Sequence, residues 1–224
     1  RFGACLIQEP NLVADCLSEM ISKTSLPVTV KTRIGYDNVD QYENLYNFIN
    51  ILKNTGVKTF IIHARKAMLG KFTPKQNLNI PPLKYEYVNN LKKDFQNLEI
   101  IINGGITSTD QIKEHLDNVD GVMIGRGSQG RPWIIGQAGD LLSRKRIRKI
   151  PTINQRRDIM LAHLEDMLVC YGSNGMRLAR KHIAWYAHGL PGSAALRDVA
   201  NNTHNSSIVF KAVDRFFEKQ CEAA

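Results

Sequence analysis

Four short runs of unbroken apolar character recur in the first part of the chain: Val28-Thr29-Val30-Lys31, Phe60-Ile61-Ile62-His63, Ile100-Ile101-Ile102-Asn103 and Val122-Met123-Ile124-Gly125. A strand covered on both faces needs apolar residues at every position, so runs without alternation predict parallel strands. Between them the spacing becomes helical. Leu45, Phe48, Ile49 and Leu52 line one face of a helix that stops before Gly56. Ser108, followed three residues on by Gln111, reads as a capping box opening a helix with Ile112 and Leu116 inward. Strands alternating with helices in this way predict an α/β fold with a parallel sheet.

After Pro132-Trp133 the pattern is wholly helical. Met160, Leu164, Met167 and Leu168 form one stripe, ended by Gly172. A second segment, 175–189, carries Leu178, Ala179 and Ile183, and a third carries Ile208, Ala212, Val213, Phe216 and Phe217. The expected organisation is an α/β portion over 1–140 and a three-helix bundle over 151–224, joined near Lys149-Ile150-Pro151.

The expected strands end on polar residues or glycine: Lys31-Thr32-Arg33, His63-Ala64-Arg65, Asn103-Gly104-Gly105 and Gly125-Arg126-Gly127. In parallel α/β folds these ends open on one face, where ligands bind. Asn103-Gly104-Gly105-Ile106 lies between a strand and a capped helix, and Arg126 adds a fork-shaped cation. Together they suit a phosphate, with two ordinary tight turns as the alternative. Lys31 reads either as a partner for negative charge on a ligand or as half of a salt bridge. His63, a lone strand-end histidine, is either structural or part of the same site, and its neighbours Arg65 and Lys66 favour the second.

Composition changes this picture in one respect. The chain of 224 residues is 43% hydrophobic and 23% charged, as a soluble globular protein is. No run approaches the roughly 18 apolar residues of a membrane span. The start, Arg1-Phe2-Gly3-Ala4-Cys5, has neither an initiator Met nor a signal-peptide core, so a cytoplasmic protein with residues upstream is expected. Cys5, Cys16, Cys170 and Cys221 are scattered and the histidines lack ligand spacing, so neither a disulfide framework nor a metal is expected. Nothing in the sequence sets an oligomeric state. Of the net charge of +9, residues 1–126 hold +2 and residues 127–224 hold +7. Within the second part, 144–149 holds Arg144, Lys145, Arg146, Arg148 and Lys149. Arg177, Arg180 and Lys181 share a helix face beside His182 and Trp185. Either cluster alone is an ordinary solvated surface. Basic side chains interleaved with aromatics suit RNA, whose phosphates and unstacked bases they contact.

The sequence resembles the tRNA-dihydrouridine synthases. The resemblance to the A-type branch is carried by Gly3-Ala4-Cys5-Leu6, Pro27-Val28-Thr29-Val30-Lys31, the tract from Ile62-His63-Ala64-Arg65-Lys66-Ala67 to Asn79-Ile80-Pro81-Pro82-Leu83, Ile102-Asn103-Gly104-Gly105-Ile106 and Val119-Asp120-Gly121-Val122-Met123-Ile124-Gly125-Arg126. From 126 onward, Arg126-Gly127-Ser128-Gln129-Gly130-Arg131-Pro132-Trp133 and Arg177-Leu178-Ala179-Arg180-Lys181-His182 are similar to the B-type branch. A hybrid with a junction near Arg126 is one reading.

The resemblance implies the C-terminal half of a TIM-type (β/α)8 barrel that binds FMN, followed by a helical tRNA-binding domain. It implies FMN contacts at Lys31, His63, Asn103, Gly104, Gly105, Gly125 and Arg126, with Lys31 near flavin N1 and O2. It implies NADPH as reductant and tRNA as partner, with a uridine flipped out of the tRNA for reduction. RNA contacts are expected at Arg65, Lys66, Lys75, Arg144, Lys145, Arg146, Arg177, Arg180 and Lys181. Leu78 stands where A-type members carry an arginine. The family's catalytic cysteine belongs to a Gly-Cys-Pro-Ser segment upstream of residue 1, so no catalytic residue is assigned within this chain, and Cys5 does not replace it. Two other functions stay open: a non-catalytic tRNA-binding fragment, and a barrel enzyme acting on a phosphosugar.

Overall fold

The computed structural model describes residues 3–70 and 72–222, which group into two compact units, Arg1–Gly125 and Arg126–Ala224. The first unit opens with a 3-10 turn, Gly3–Gln8. There follow α1 (Pro10–Lys23), β1 (Thr29–Arg33), α2 (Tyr42–Lys53), β2 (Thr59–His63), α3 (Pro74–Asn79), α4 (Tyr85–Asp94), β3 (Glu99–Asn103), α5 (Thr109–Leu116) and β4 (Gly121–Met123). The strands form one sheet in the order β1-β2-β3-β4, every neighbouring pair parallel. Each crossover carries a helix, as parallel pairing requires.

The apolar runs form these strands, with two shifts. β1 continues past Lys31 to Arg33, and β4 is only three residues long, stopping at Met123. Phe60, Ile62, Ile100 and Ile102 are fully buried, and Leu45, Phe48, Ile49 and Leu52 give α2 a buried apolar face. On α5 the Ser108 hydroxyl accepts from Gln111 N as a cap should. The reciprocal half of the box is displaced by one residue, because Gln111 Oε1 accepts from Thr107 N at 2.8 Å. Ile112 is buried, but His115 takes the other inner position and Leu116 is only half-buried. The His115 ring packs edge-on to Tyr85, 4.5 Å between centroids, and burial lowers its pKa.

The second unit begins with a 3-10 turn, Arg126–Ser128, and continues as α6 (Trp133–Leu142), α7 (Ile153–Tyr171), α8 (Gly175–Tyr186), α9 (Ser193–Asn202) and α10 (Ser206–Glu222). Met160, Leu164 and Met167 of α7, Ala179 and Ile183 of α8, and Val213, Phe216 and Phe217 of α10 share one core. Three corrections to the expected bundle arise here. A further helix, α9, contributes Leu196 and Ala200, too few apolar residues to show as a stripe. Val209 faces inward while Ile208 is 50% exposed. The unit starts at Arg126, not near 151, because Trp133 of α6 packs against the helical core. Among the described residues no helix is long and apolar enough to cross a membrane.

Candidate functional site

The register of the sheet brings the polar strand ends level. Arg33 pairs with His63, His63 with Asn103, and Asn103 with Met123, so one transverse row carries three polar side chains. Lys31 lies two residues before Arg33 and, by the two-residue period of a strand, shares its face. Its ammonium donates to Asn103 Oδ1 at 3.2 Å, and Asn103 Nδ2 donates to the Met123 carbonyl at 2.8 Å. A chain of hydrogen bonds therefore links β1, β3 and β4 across the top of β2. This partner of Lys31 is a neutral carboxamide, and among the described residues no carboxylate pairs with it. Desolvation by the surrounding protein lowers the Lys31 pKa, and repulsion from Arg33 adds to it.

Beside this row lies a cavity of about 490 Å³. Its polar walls are Lys31, Thr32, Arg33 and His63, and its apolar walls include Ala4, Leu6, Val13, Val30, Phe48 and Leu78. Two cations and an imidazole on an apolar lining suit a flat, partly apolar ligand that bears negative charge. The Arg33 guanidinium is held in place by the carbonyls of Lys66 and Asn77, at 2.8 and 3.0 Å. Arg33 is a site residue that the sequence alone does not single out, although it sits in the Lys31-Thr32-Arg33 strand end.

Gly104 and Gly105 adopt φ of +122° and +71°. A Cβ on Gly104 would lie 2.8 Å from His63 Cδ2 and 2.7 Å from Leu83 Cδ2, and one on Gly105 would lie 2.8 Å from Tyr85 Oη. The glycine pair thus lets the backbone close down on the buried His63 ring, and Tyr85 Oη fixes the turn by donating to the Gly104 carbonyl at 2.8 Å. Gly125 has open space where a Cβ would go. Arg126 begins the second unit, where it is exposed.

The basic residues expected at RNA fall into two groups. Arg65 is buried and donates to the Asn79 carbonyl at 2.9 Å. Lys66 pairs with Asp40 at 3.2 Å and donates to the Asp37 carbonyl at 2.7 Å. Burial alone would raise the Asp40 carboxyl, but hydrogen bonds from Lys84 and Lys66 outweigh it and hold its pKa low. Arg65 and Lys66 thus brace the loop after β2. Lys75, Arg144, Lys145, Arg146, Arg177 and Lys181 are exposed, while Arg180 is half-buried and its Nε has no hydrogen-bond partner among the described residues. Within the run 144–149, Arg148 makes a two-pronged ion pair with Asp140, at 2.7 and 2.8 Å. That pair holds the Asp140 carboxyl well below the usual carboxylate range and neutralises one of the five cations.

The family model for dihydrouridine synthase (Dus) matches residues 1–220. The chain belongs to the dihydrouridine synthase family. It is 41% identical over 216 residues to the tRNA-dihydrouridine(20/20a) synthase of Shewanella oneidensis, covering 95% of this chain and 63% of that protein. It is 46% identical over 169 residues to the tRNA-dihydrouridine(20/20a) synthase of Synechocystis sp., covering 75% of this chain and 50% of that protein. The chain therefore spans between half and two-thirds of the length of those relatives. Among solved structures, one of mandelate oxidase aligns at 12% identity over 93% of this chain and 67% of its own, with a TM-score of 0.34, too low to bear on the fold. The Shewanella match, over 95% of this chain, runs past residue 126 into the helical unit.

Proposed function

We propose that this chain is the part of a tRNA-dihydrouridine synthase that holds FMN and grips tRNA, in an enzyme that uses NADPH to reduce uridine to 5,6-dihydrouridine. The observation that carries the reading is the Lys31–Asn103 bridge beside His63 on an apolar-walled cavity, in a chain of this family. These residues fit a flavin. Lys31 is open to solvent, yet partial desolvation by the surrounding protein and repulsion from Arg33 disfavour its charge, and an anionic ligand would offset both. Apolar walls at Val30, Phe48 and Leu78 suit a flat ring system.

When bound, FMN supplies the hydride chemistry. The chain's own residues do the rest. Lys31 would hold a positive charge beside the bound ring, and Asn103 sets the position of Lys31. Gly104 and Gly105 let the backbone hold the His63 ring against the site. The described lining of the cavity holds neither a cysteine nor a carboxylate, and its ionisable side chains are Lys31, Arg33 and His63. In this reading the cavity contributes cofactor binding and electronic tuning.

The test is the midpoint potential of FMN bound to the protein and to Lys31→Ala. Removing one charge-assisted hydrogen bond, worth about 1.5–3 kcal/mol, lowers a two-electron potential by about 30–65 mV. An unchanged potential, or no FMN binding by the parent protein, contradicts the assignment.

A further inference from the structure

A second cavity, of about 310 Å³, lies within the helical unit. Its walls include Trp133 and Trp185, the only two tryptophans of the chain, together with Arg131, Arg156 and His188. No Asp or Glu is among the described lining residues, so the lining itself carries positive charge.

The arrangement is held from several directions. The Arg156 guanidinium lies over the Trp133 ring, 5.2 Å from its centroid, and Arg156 Nε donates to the Pro151 carbonyl at 3.1 Å. Gly130, at φ +70°, lies so close to α8 that a Cβ there would come within 2.3 Å of the Trp185 carbonyl oxygen. The His182 ring stands edge-on to Trp185, 4.9 Å between centroids, and fixes the plane of the indole. Arg131 is an exposed lining residue whose Nη2 donates to the Gly127 carbonyl at 3.3 Å. Planar indoles and fork-shaped cations in one recess match the two parts of a nucleotide, a base with a π-face and a phosphate.

We propose that this cavity takes one unstacked nucleotide of a single-stranded segment of the bound RNA, its base on Trp185 and its phosphate on Arg131 and Arg156. The proposal rests on the function proposed for the chain and adds a defined subsite to it, in which Arg131 and Arg156 lie outside the basic clusters of 144–149 and α8 and Trp185 stands in α8 beside Lys181.

Because both tryptophans of this chain line the cavity, the tryptophan emission of the 224-residue chain reports it directly. Titrating the protein with a short single-stranded oligouridylate is expected to quench that emission saturably, with unmodified tRNA competing. Loss of a base–aromatic stack in Trp185→Ala corresponds to about a tenfold or greater loss of oligouridylate affinity. Arg156→Gln, which leaves both indoles in place, is expected to lower the salt dependence by about 0.7 log units. Circular dichroism checks that both variants keep their helices. Binding of tRNA and oligouridylate without quenching, or full affinity in Arg156→Gln, overturns the subsite and leaves the proposed function standing. Quenching by FMN alone assigns the cavity to the cofactor and also overturns it. Absence of tRNA binding by the parent protein sinks the tRNA reading itself.

Discussion

Gly104→Ala is expected to destabilise the α/β unit by about 2–4 kcal/mol, adding backbone strain to overpacking. At φ +122° an alanine is strained wherever it sits, and here its methyl would enter the space of His63 Cδ2 and Leu83 Cδ2 at 2.8 and 2.7 Å. His63 is buried in β2 and Leu83 lies in the loop before α4, so neither is the free end of a flexible surface chain. Urea unfolding measures the effect as a lower midpoint with the same slope. Gly125→Ala is the matched control. Its Cβ meets nothing within 4 Å, so it should shift stability by no more than about 0.5 kcal/mol. Equal effects at the two glycines would show that the turn after β3 tolerates a side chain, and that its closeness to His63 does not hold the site together.

The second large effect concerns the two basic clusters of the helical unit. Neutralising Arg144, Lys145 and Arg146 together with Arg177, Arg180 and Lys181 is expected to flatten the dependence of tRNA affinity on salt. The log–log slope should fall by about 0.7–0.9 for each phosphate no longer neutralised, and several such phosphates amount to orders of magnitude in affinity at moderate salt. Arg148 supplies the control, because Asp140 already neutralises it. Arg148→Gln should leave the slope nearly unchanged although it breaks an ion pair. Filter binding or anisotropy at several salt concentrations makes the comparison. An unaltered slope in the six-site variant would mean that these charges are merely solvated.

Much of this architecture is legible in the sequence because the apolar runs are continuous and the helical stripes are long. Ile100-Ile101-Ile102 fits little besides a buried strand, and Met160, Leu164 and Met167 repeat on one helix face. The features that escape a reading of the sequence are those without a periodic signature. α9 buries only Leu196 and Ala200, and His115 takes an inner position that hydropathy assigns to Leu116. Lys31 is readable as a cation on a strand, but its partner is not. Asn103 is 72 residues away, and only the register of β1, β2 and β3 brings the two side chains together. Arg65 and Lys66 show the opposite limit. As letters they show only two cations, while the fold gives Arg65 a hydrogen bond to the Asn79 carbonyl and Lys66 partners in Asp37 and Asp40. Charge along a sequence does not say which cations the chain itself consumes.

The central claim is that Lys31, Asn103 and His63 form the flavin end of an enzyme that reduces uridine in tRNA. The most direct measurement is mass spectrometry of nucleosides from unmodified tRNA incubated with NADPH and the full-length protein that contains this chain. Dihydrouridine, two hydrogens heavier than uridine, should accumulate, and Lys31→Ala should slow its formation while tRNA affinity stays the same. A full-length protein that binds both FMN and tRNA yet leaves every uridine unreduced would contradict the claim.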